Sequence, residues 1–201
     1  MIRNLVFDFG QVLVRFVPED IAAPNLPDPA DRALAVPVLF DRAIWNRLDS
    51  GEIDEEIAIA EALPRLPKRL HAAGKTILRH WIERLPPIPG MWELVRRVKK
   101  EYGVRTFLLS NISREFTNHL DLYPILSELD GCVFSGTIGL TKPSPEIFAH
   151  LCDTYGLTPA ESLFVDDLPR NIAAAEAFGL QTYLFDGDAA KLSDYLDRVL
   201  Q

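Results

Sequence analysis

The chain has 201 residues, 48% of them hydrophobic and 25% charged, with a net charge of −8 and two cysteines. That length holds one sizeable core with room for a smaller appended lobe, and the acidic balance argues against a surface that coats nucleic acid. Cys132 and Cys152 make neither a metal-ligand spacing nor a disulfide framework, and no apolar run reaches signal or membrane-span length, so the chain reads as a soluble cytoplasmic protein.

Residues 4–9 (NLVFDF) form a short apolar run that reads as a buried strand ending in a single acid, Asp8, followed by Gly10. A second apolar stretch covers residues 12–17. A charge at the end of a buried strand is either poised for chemistry or satisfied by a nearby helix N-terminus. Asp8-Phe9-Gly10 also matches the metal-binding tripeptide of protein kinases, but seven upstream residues cannot hold the loops such an enzyme needs. From residue 18 to residue 89 the texture changes. Pro18, Pro24, Pro27, Pro29 and Pro37 divide the early part into loop and short helix, and three helical patterns follow over residues 30–48, 53–63 and 68–85. The second opens with Asp54, Glu55 and Glu56, acids favoured by the helix N-terminal dipole. With no strand pattern among them, these segments predict a small all-helical lobe inserted after the first strand. Prolines in residues 86–90 (PPIPG) end it.

Beyond Gly90, helix and strand alternate. Residues 91–102 predict an amphipathic helix with Leu94, Val95 and Val98 inward, stopped by Gly103. Residues 104–109 predict a buried strand that ends in Ser110 and Asn111; residues 112–126 read as helix interrupted by Pro124, and residues 131–134 as a short strand. After Lys142 and Pro143, Pro145 opens a helix to about residue 155. Residues 163–167 (LFVDD) then run from apolar side chains into two adjacent carboxylates, Asp166 and Asp167. An alanine-rich helix capped by Gly179, a strand over residues 181–185 and a helix over residues 189–200 complete the chain. Strands separated by helices imply βαβ units: a Rossmann-like three-layer α/β fold with a parallel sheet and an inserted all-helical segment.

Four strand or loop ends therefore carry polar residues, Asp8, Ser110 with Asn111, Lys142, and Asp166 with Asp167, all expected at one sheet edge. Adjacent carboxylates repel unless a cation sits between them, and an oxygen-only ligand set suits Mg²⁺. One acid can act as a nucleophile, a hydroxyl and an amide can bind phosphate oxygens, and the lysine can neutralise charge; phosphoryl transfer needs mostly such positioning and electrostatic stabilisation. Taken singly, Ser110 could be a helix cap, Lys142 a solvated surface residue and the Asp pair a helix-capping turn.

In this order the residues resemble the four motifs of the haloacid dehalogenase-like (HAD) phosphohydrolase superfamily, over essentially the whole chain. Residues 7–14 (FDFGQVLV) look like motif I, 108–111 (LLSN) motif II, 142–148 (KPSPEIF) motif III and 164–171 (FVDDLPRN) motif IV. The resemblance implies a catalytic core of residues 1–16 and 86–201, with residues 17–85 as a helical C1 cap. It implies Asp8 as nucleophile and Mg²⁺ ligand, Ser110 and the Asn111 region as binders of the phosphoryl group, and Lys142 as the neutralising cation. Asp167 would be the direct motif IV metal ligand, with Asp166 as ligand or outer partner and Asn171 supporting that shell. It also implies a small phosphorylated metabolite as substrate, with no nucleic-acid or membrane partner; a monomer and a weak dimer both stay open.

One departure matters. Most family phosphatases carry a second Asp two residues after the nucleophile, which serves as acid and base; here that position is Gly10, whose carbonyl can still bind Mg²⁺ but cannot transfer a proton. The pattern resembles a subgroup that includes bacterial α-D-glucose-1-phosphate phosphatases, and residues 46–54 (NRLDSGEID) resemble a stretch of that subgroup's cap. A sugar 1-phosphate, whose leaving group needs less proton help, is the substrate this implies. The alternative is a binding or regulatory module without turnover; a dehalogenase, which needs no metal, fits the Asp pair poorly. Trp45, Asn46, Arg47 and Trp81 are candidates to face the site, the tryptophans more readily as core, and Asp49 or Glu52 is a candidate replacement acid.

Overall fold

A computed structural model describes residues 1–201. The first strand, β1 (Asn4–Phe7), has four consecutive buried residues, as a central parallel strand covered on both faces must. The chain then turns sharply. The N–H groups of Val12, Leu13 and Val14 all point to the Phe9 carbonyl, and Val14 bridges to Pro87, so the apolar stretch after Asp8 is a closed turn. Arg15 N–H to Pro86 O (2.8 Å) and Ile88 N–H to Leu13 O (3.1 Å) hold the exit and return of the helical segment side by side.

That segment contains α1 (Pro18–Ala22), α2 (Pro29–Leu39), α3 (Arg42–Asp49), α4 (Glu55–Ala62) and α5 (His71–His80), with short 3₁₀ turns at Leu63–Arg65, Lys68–Leu70 and Ile82–Arg84. The single helix expected over residues 30–48 is two. Asp41 adopts extended backbone and accepts the Ala43 N–H at 2.9 Å, so it begins a new helix. Trp45 Nε1–H donates to Leu39 O at 2.7 Å and pins the corner.

After the return come α6 (Met91–Tyr102), β2 (Arg105–Ser110), a 3₁₀ stretch (Arg114–Leu122), α7 (Ile125–Glu128), β3 (Gly131–Phe134), α8 (Ser135–Ile138), α9 (Pro145–Tyr155), β4 (Ser162–Asp166), α10 (Pro169–Phe178), β5 (Gln181–Leu184) and α11 (Ala189–Val199). The α-helix expected over residues 112–126 is mostly 3₁₀, broken by non-helical backbone at His119. The one-turn α8 was not anticipated, because four residues are too few for a periodicity to register.

The sheet is fully parallel in the order β3-β2-β1-β4-β5, with Phe7 opposite both Leu108 and Val165. Alternation sends Leu5, Phe7, Leu108, Leu163 and Val165 to one face, where α6 and α11 cover them; Val6, Phe107, Leu109 and Phe164 go to the other, under α9 and α10. The first of these cores runs without interruption into the helical segment through Val12, Leu13, Ile88 and Phe116. Phe16, Phe40, Trp45 and Trp81 pack ring against ring there, with centroids 4.9–5.9 Å apart. No helix is long and apolar enough to cross a membrane.

Phe164 is fully buried in β4, edge-on to Phe148 at 5.6 Å, with the Lys142 ammonium 5.3 Å from its ring centroid. Phe164→Ala should cost about 3–5 kcal/mol, read as a lower denaturant midpoint at unchanged slope. A loss below about 1 kcal/mol would contradict close packing of the central strands.

Candidate active site

From β1 the chain builds outward through β2 to β3, then returns to place β4 on the other side of β1. The connections after β1 and β4 therefore leave in opposite directions and open a crevice at the carboxyl edge. A cavity of about 320 Å³ lies there. Asp8, Gly10, Ser110, Asn111, Lys142, Asp167 and Asn171 line its floor, so the sequence-predicted residues converge, with Asp166 buried beside them. A larger depression of about 1010 Å³ between α6 and the start of α11 is an open surface feature whose Arg97 and Lys191 are already paired with acids.

Lys142 stands at the centre. Its side chain is almost wholly buried, with Nζ 2.8 Å from Asp8 Oδ1 and 2.8 Å from Asp166 Oδ2. Burial by itself depresses a lysine pKa, but attraction to the two carboxylates more than reverses this and leaves it raised. Asn111 fixes the Lys142 backbone with a reciprocal pair: Nδ2–H donates to Lys142 O and Oδ1 accepts Lys142 N–H, both at 2.8 Å. The Asn111 side chain is thus engaged in holding Lys142, which leaves Ser110, at the end of β2, as the neighbouring side chain free of hydrogen bonds at the cavity floor.

Asp8 is 8% exposed and its Oδ1 accepts the Phe9 N–H at 2.7 Å. Burial pushes its pKa up to about 7, with Lys142 pulling down and Asp166 and Asp167 pushing further up. Asp166 is completely buried, and four hydrogen bonds occupy its two oxygens: Leu168 N–H at 2.8 Å, Lys142 Nζ at 2.8 Å and Asn171 Nδ2 at 3.0 Å to each oxygen. Asp167 is half-buried and faces the cavity, its pKa raised by burial and by Asp166.

The donor set fits a hard divalent cation. Asp8, Asp166 and Asp167 each place a carboxylate oxygen within 4.8 Å of the others. Because Asn171 Nδ2 must face the Asp166 carboxylate, its Oδ1 is turned away, buried and without a partner. An orphaned buried oxygen beside two acids is the arrangement that Mg²⁺ or its bound water satisfies. Both Asp166 oxygens are occupied by Lys142, Leu168 and Asn171, which leaves Asp8 and Asp167 as the acids with oxygens to spare.

From the helical segment, Phe40, Trp45 and Trp81 join Phe16, which precedes it, in an aromatic wall, and Arg42, Asn46 and Asp49 add polar groups. Both tryptophans fill the segment's core and also face the cavity. Arg47 points elsewhere, binding Glu52 and Glu61. Arg42, Gln11 and Arg170 had no sequence signal, since isolated polar residues near helix ends look like ordinary surface.

A family described as haloacid dehalogenase-like hydrolase matches residues 2–179. Among curated proteins, a sesquiterpene phosphatase from Aspergillus oryzae is 25% identical over 89% of this chain and 87% of its own length. A D-ribitol-5-phosphate phosphatase from Bacteroides thetaiotaomicron is 27% identical over 91% of each chain. Among solved structures, a HAD-family enzyme from B. thetaiotaomicron in complex with magnesium and inorganic phosphate superposes with a TM-score of 0.72 at 20% identity, covering 96% of this chain and 99% of that one.

Lys142→Met removes the counter-charge of two buried carboxylates and should destabilise the protein by about 3–5 kcal/mol at pH 8. An acid whose folded pKa is raised is penalised most above that pKa and relieved on protonation, so the loss should shrink at pH 5, below the value of about 7 for Asp8. Urea unfolding of both proteins at the two pH values checks this; an equal loss at both would mean that the lysine contributes through packing.

Proposed function

The chain belongs to the haloacid dehalogenase-like hydrolase family, and we propose that it is a Mg²⁺-dependent phosphatase acting on a small phosphomonoester, with Asp8 as nucleophile. The observation that carries this reading is the Asp8–Lys142–Asp166 chain of contacts at the sheet's switch point, beside an Asp167 carboxylate and an orphaned Asn171 oxygen. Asp8 attacks phosphorus, the ester P–O bond breaks, and the alcohol leaves; water then cleaves the aspartyl-phosphate and returns Asp8 as carboxylate. Lys142 holds Asp8 oriented and balances the negative charge that gathers on the phosphoryl oxygens. Ser110 hydrogen-bonds a phosphoryl oxygen. Asp8, Asp167, the Gly10 carbonyl and, directly or through water, Asn171 would hold Mg²⁺, which supplies electrostatic stabilisation of the transferring group.

Residues 1–16 and 86–201 form the catalytic core in this reading, and residues 17–85 the cap that closes over the alcohol part of the substrate. The aromatic wall of Phe16, Phe40, Trp45 and Trp81 supports an alcohol with an apolar face, which a sugar ring such as that of glucose 1-phosphate presents and an isoprenoid presents more fully. Relatives active on D-ribitol 5-phosphate and on a sesquiterpene bracket that range. The two unpaired cysteines suit a reducing, cytoplasmic setting.

Phosphate release from a panel of sugar, alkyl and isoprenoid phosphates should require Mg²⁺ and fall by at least about three orders of magnitude in Asp8→Asn. Mg²⁺ should also raise the thermal midpoint more at pH 8 than at pH 5.5, since protons compete for its carboxylates. Mg²⁺ and phosphate binding with no release from any ester would favour a non-catalytic binding module, the reading that Gly10 supports.

A further inference from the structure

The phosphatase reading leaves one chemical task unassigned. The departing alcohol must receive a proton, and the water that cleaves the aspartyl-phosphate must lose one. Gly10, two residues after the nucleophile, has no side chain to do either, and a Cβ built on it would meet no atom within 4 Å. That position faces open cavity.

Six titratable side chains line the cavity: Asp8, Asp49, Asp167, Lys142, Arg42 and Arg170. Asp8 and Asp167 are taken by the nucleophile and metal roles. Lys142 is bound between two carboxylates, and arginine does not give up its proton in proteins. Asp49 remains. It is the last residue of α3, where the negative end of the helix dipole disfavours a carboxylate. The side chain is half-buried and accepts no hydrogen bond from the protein.

Its backbone, by contrast, is anchored to the core. Ser135 Oγ donates to Asp49 O at 2.5 Å and accepts the Ile112 N–H at 2.9 Å, tying Asp49 to the loop that carries Ser110 and Asn111. Two residues on, the Gly51 carbonyl accepts from Arg114, and a Cβ on Gly51 would lie 2.4 Å from Gly136 O. The end of α3 thus rests backbone to backbone on the core, a rigid mounting of the kind that proton transfer requires.

Resting on the phosphatase reading, we propose that Asp49 is the general acid and base, a carboxyl contributed by the helical segment in place of the side chain that Gly10 lacks. The Asp49 carboxyl gives its proton to the ester oxygen as the P–O bond breaks, and the alcohol leaves neutral. The resulting carboxylate then takes a proton from the attacking water as hydroxide bonds to phosphorus, which restores the Asp49 acid and releases Asp8. Burial pushes the Asp49 pKa up to about 7, against the pull of Lys142 and Arg42, which suits a group that must both give and take a proton near neutrality. Asp8, Asp167 and Arg170 are the other charged groups around the cavity.

Asp49→Asn separates this role from a structural one, because the side chain it alters bonds to nothing in the protein. For the alkyl or sugar phosphomonoester that the wild type hydrolyses fastest, kcat should fall about 10²- to 10⁴-fold, and the alkaline decline of kcat/KM should disappear. With p-nitrophenyl phosphate, whose leaving group departs without a proton, the variant should give a stoichiometric burst of nitrophenolate followed by slow turnover. Adding Gly10→Asp to Asp49→Asn should restore at least about tenfold of the lost rate. Equal losses on both esters without a burst, or no loss on either while Asp8→Asn is inactive, would overturn the role of Asp49 and leave the phosphatase reading intact. A wild-type protein that releases phosphate from no ester would overturn both.

Discussion

A buried ammonium between two buried carboxylates sets the terms for everything around it. Lys142 contacts Asp8 and Asp166 at 2.8 Å in a site nearly closed to water, where an unpaired charge of either sign would be strongly destabilising. The surroundings satisfy that requirement piece by piece. Asp166 has its remaining positions filled by Leu168 and Asn171, Asn111 clips the Lys142 backbone, and the Phe164 ring lies beneath the ammonium. Asp8 is the exception. It keeps one side toward the cavity, and Lys142 alone pulls against the burial and the neighbouring acids that raise its pKa.

Topology makes this possible without long reach. Asp8, Ser110 and Asp166–Asp167 end three adjacent strands, β2, β1 and β4, whose order follows from where the chain reverses its direction of build. The helical segment is fastened to that edge in two ways. Its apolar core is continuous with one face of the sheet, and the end of α3 presses on the α8 region at Gly51 and Gly136, where no side chain would fit. A segment with this seating presents Asp49 and the aromatic wall to the cavity as part of one construction.

Most of the fold was legible along the chain. Short apolar runs separated by helical patterns, some of them stopped by glycines, implied a parallel sheet, and the helices at Met91–Tyr102 and Pro145–Tyr155 fell on the residues their end signals indicated. Charges terminating buried runs, costly unless they are used, marked Asp8, Asp166 and Asp167; Ser110 ended another such run, and Lys142 stood in a loop before Pro143. The break between α2 and α3 was missed because Asp41 sits inside a pattern that one helix fits equally well. The 3₁₀ character of Arg114–Leu122 was missed because its periodicity differs little from that of an α-helix over nine residues.

By itself the sequence determined the parallel α/β architecture, the helical insert and the identity of the charged strand ends, since these rest on hydrophobic periodicity and local backbone preference, which act over a few residues. Only the tertiary structure decided the division of labour among those residues: that Asn111 and Asp166 hold Lys142, that Asn171 leaves an oxygen without a partner, and that Asp49 rather than Glu52 or Arg47 lines the same cavity as Asp8. Each of those outcomes depends on which buried group reaches which partner between segments far apart in the chain, and desolvation enforces that choice only once the chain has closed around them.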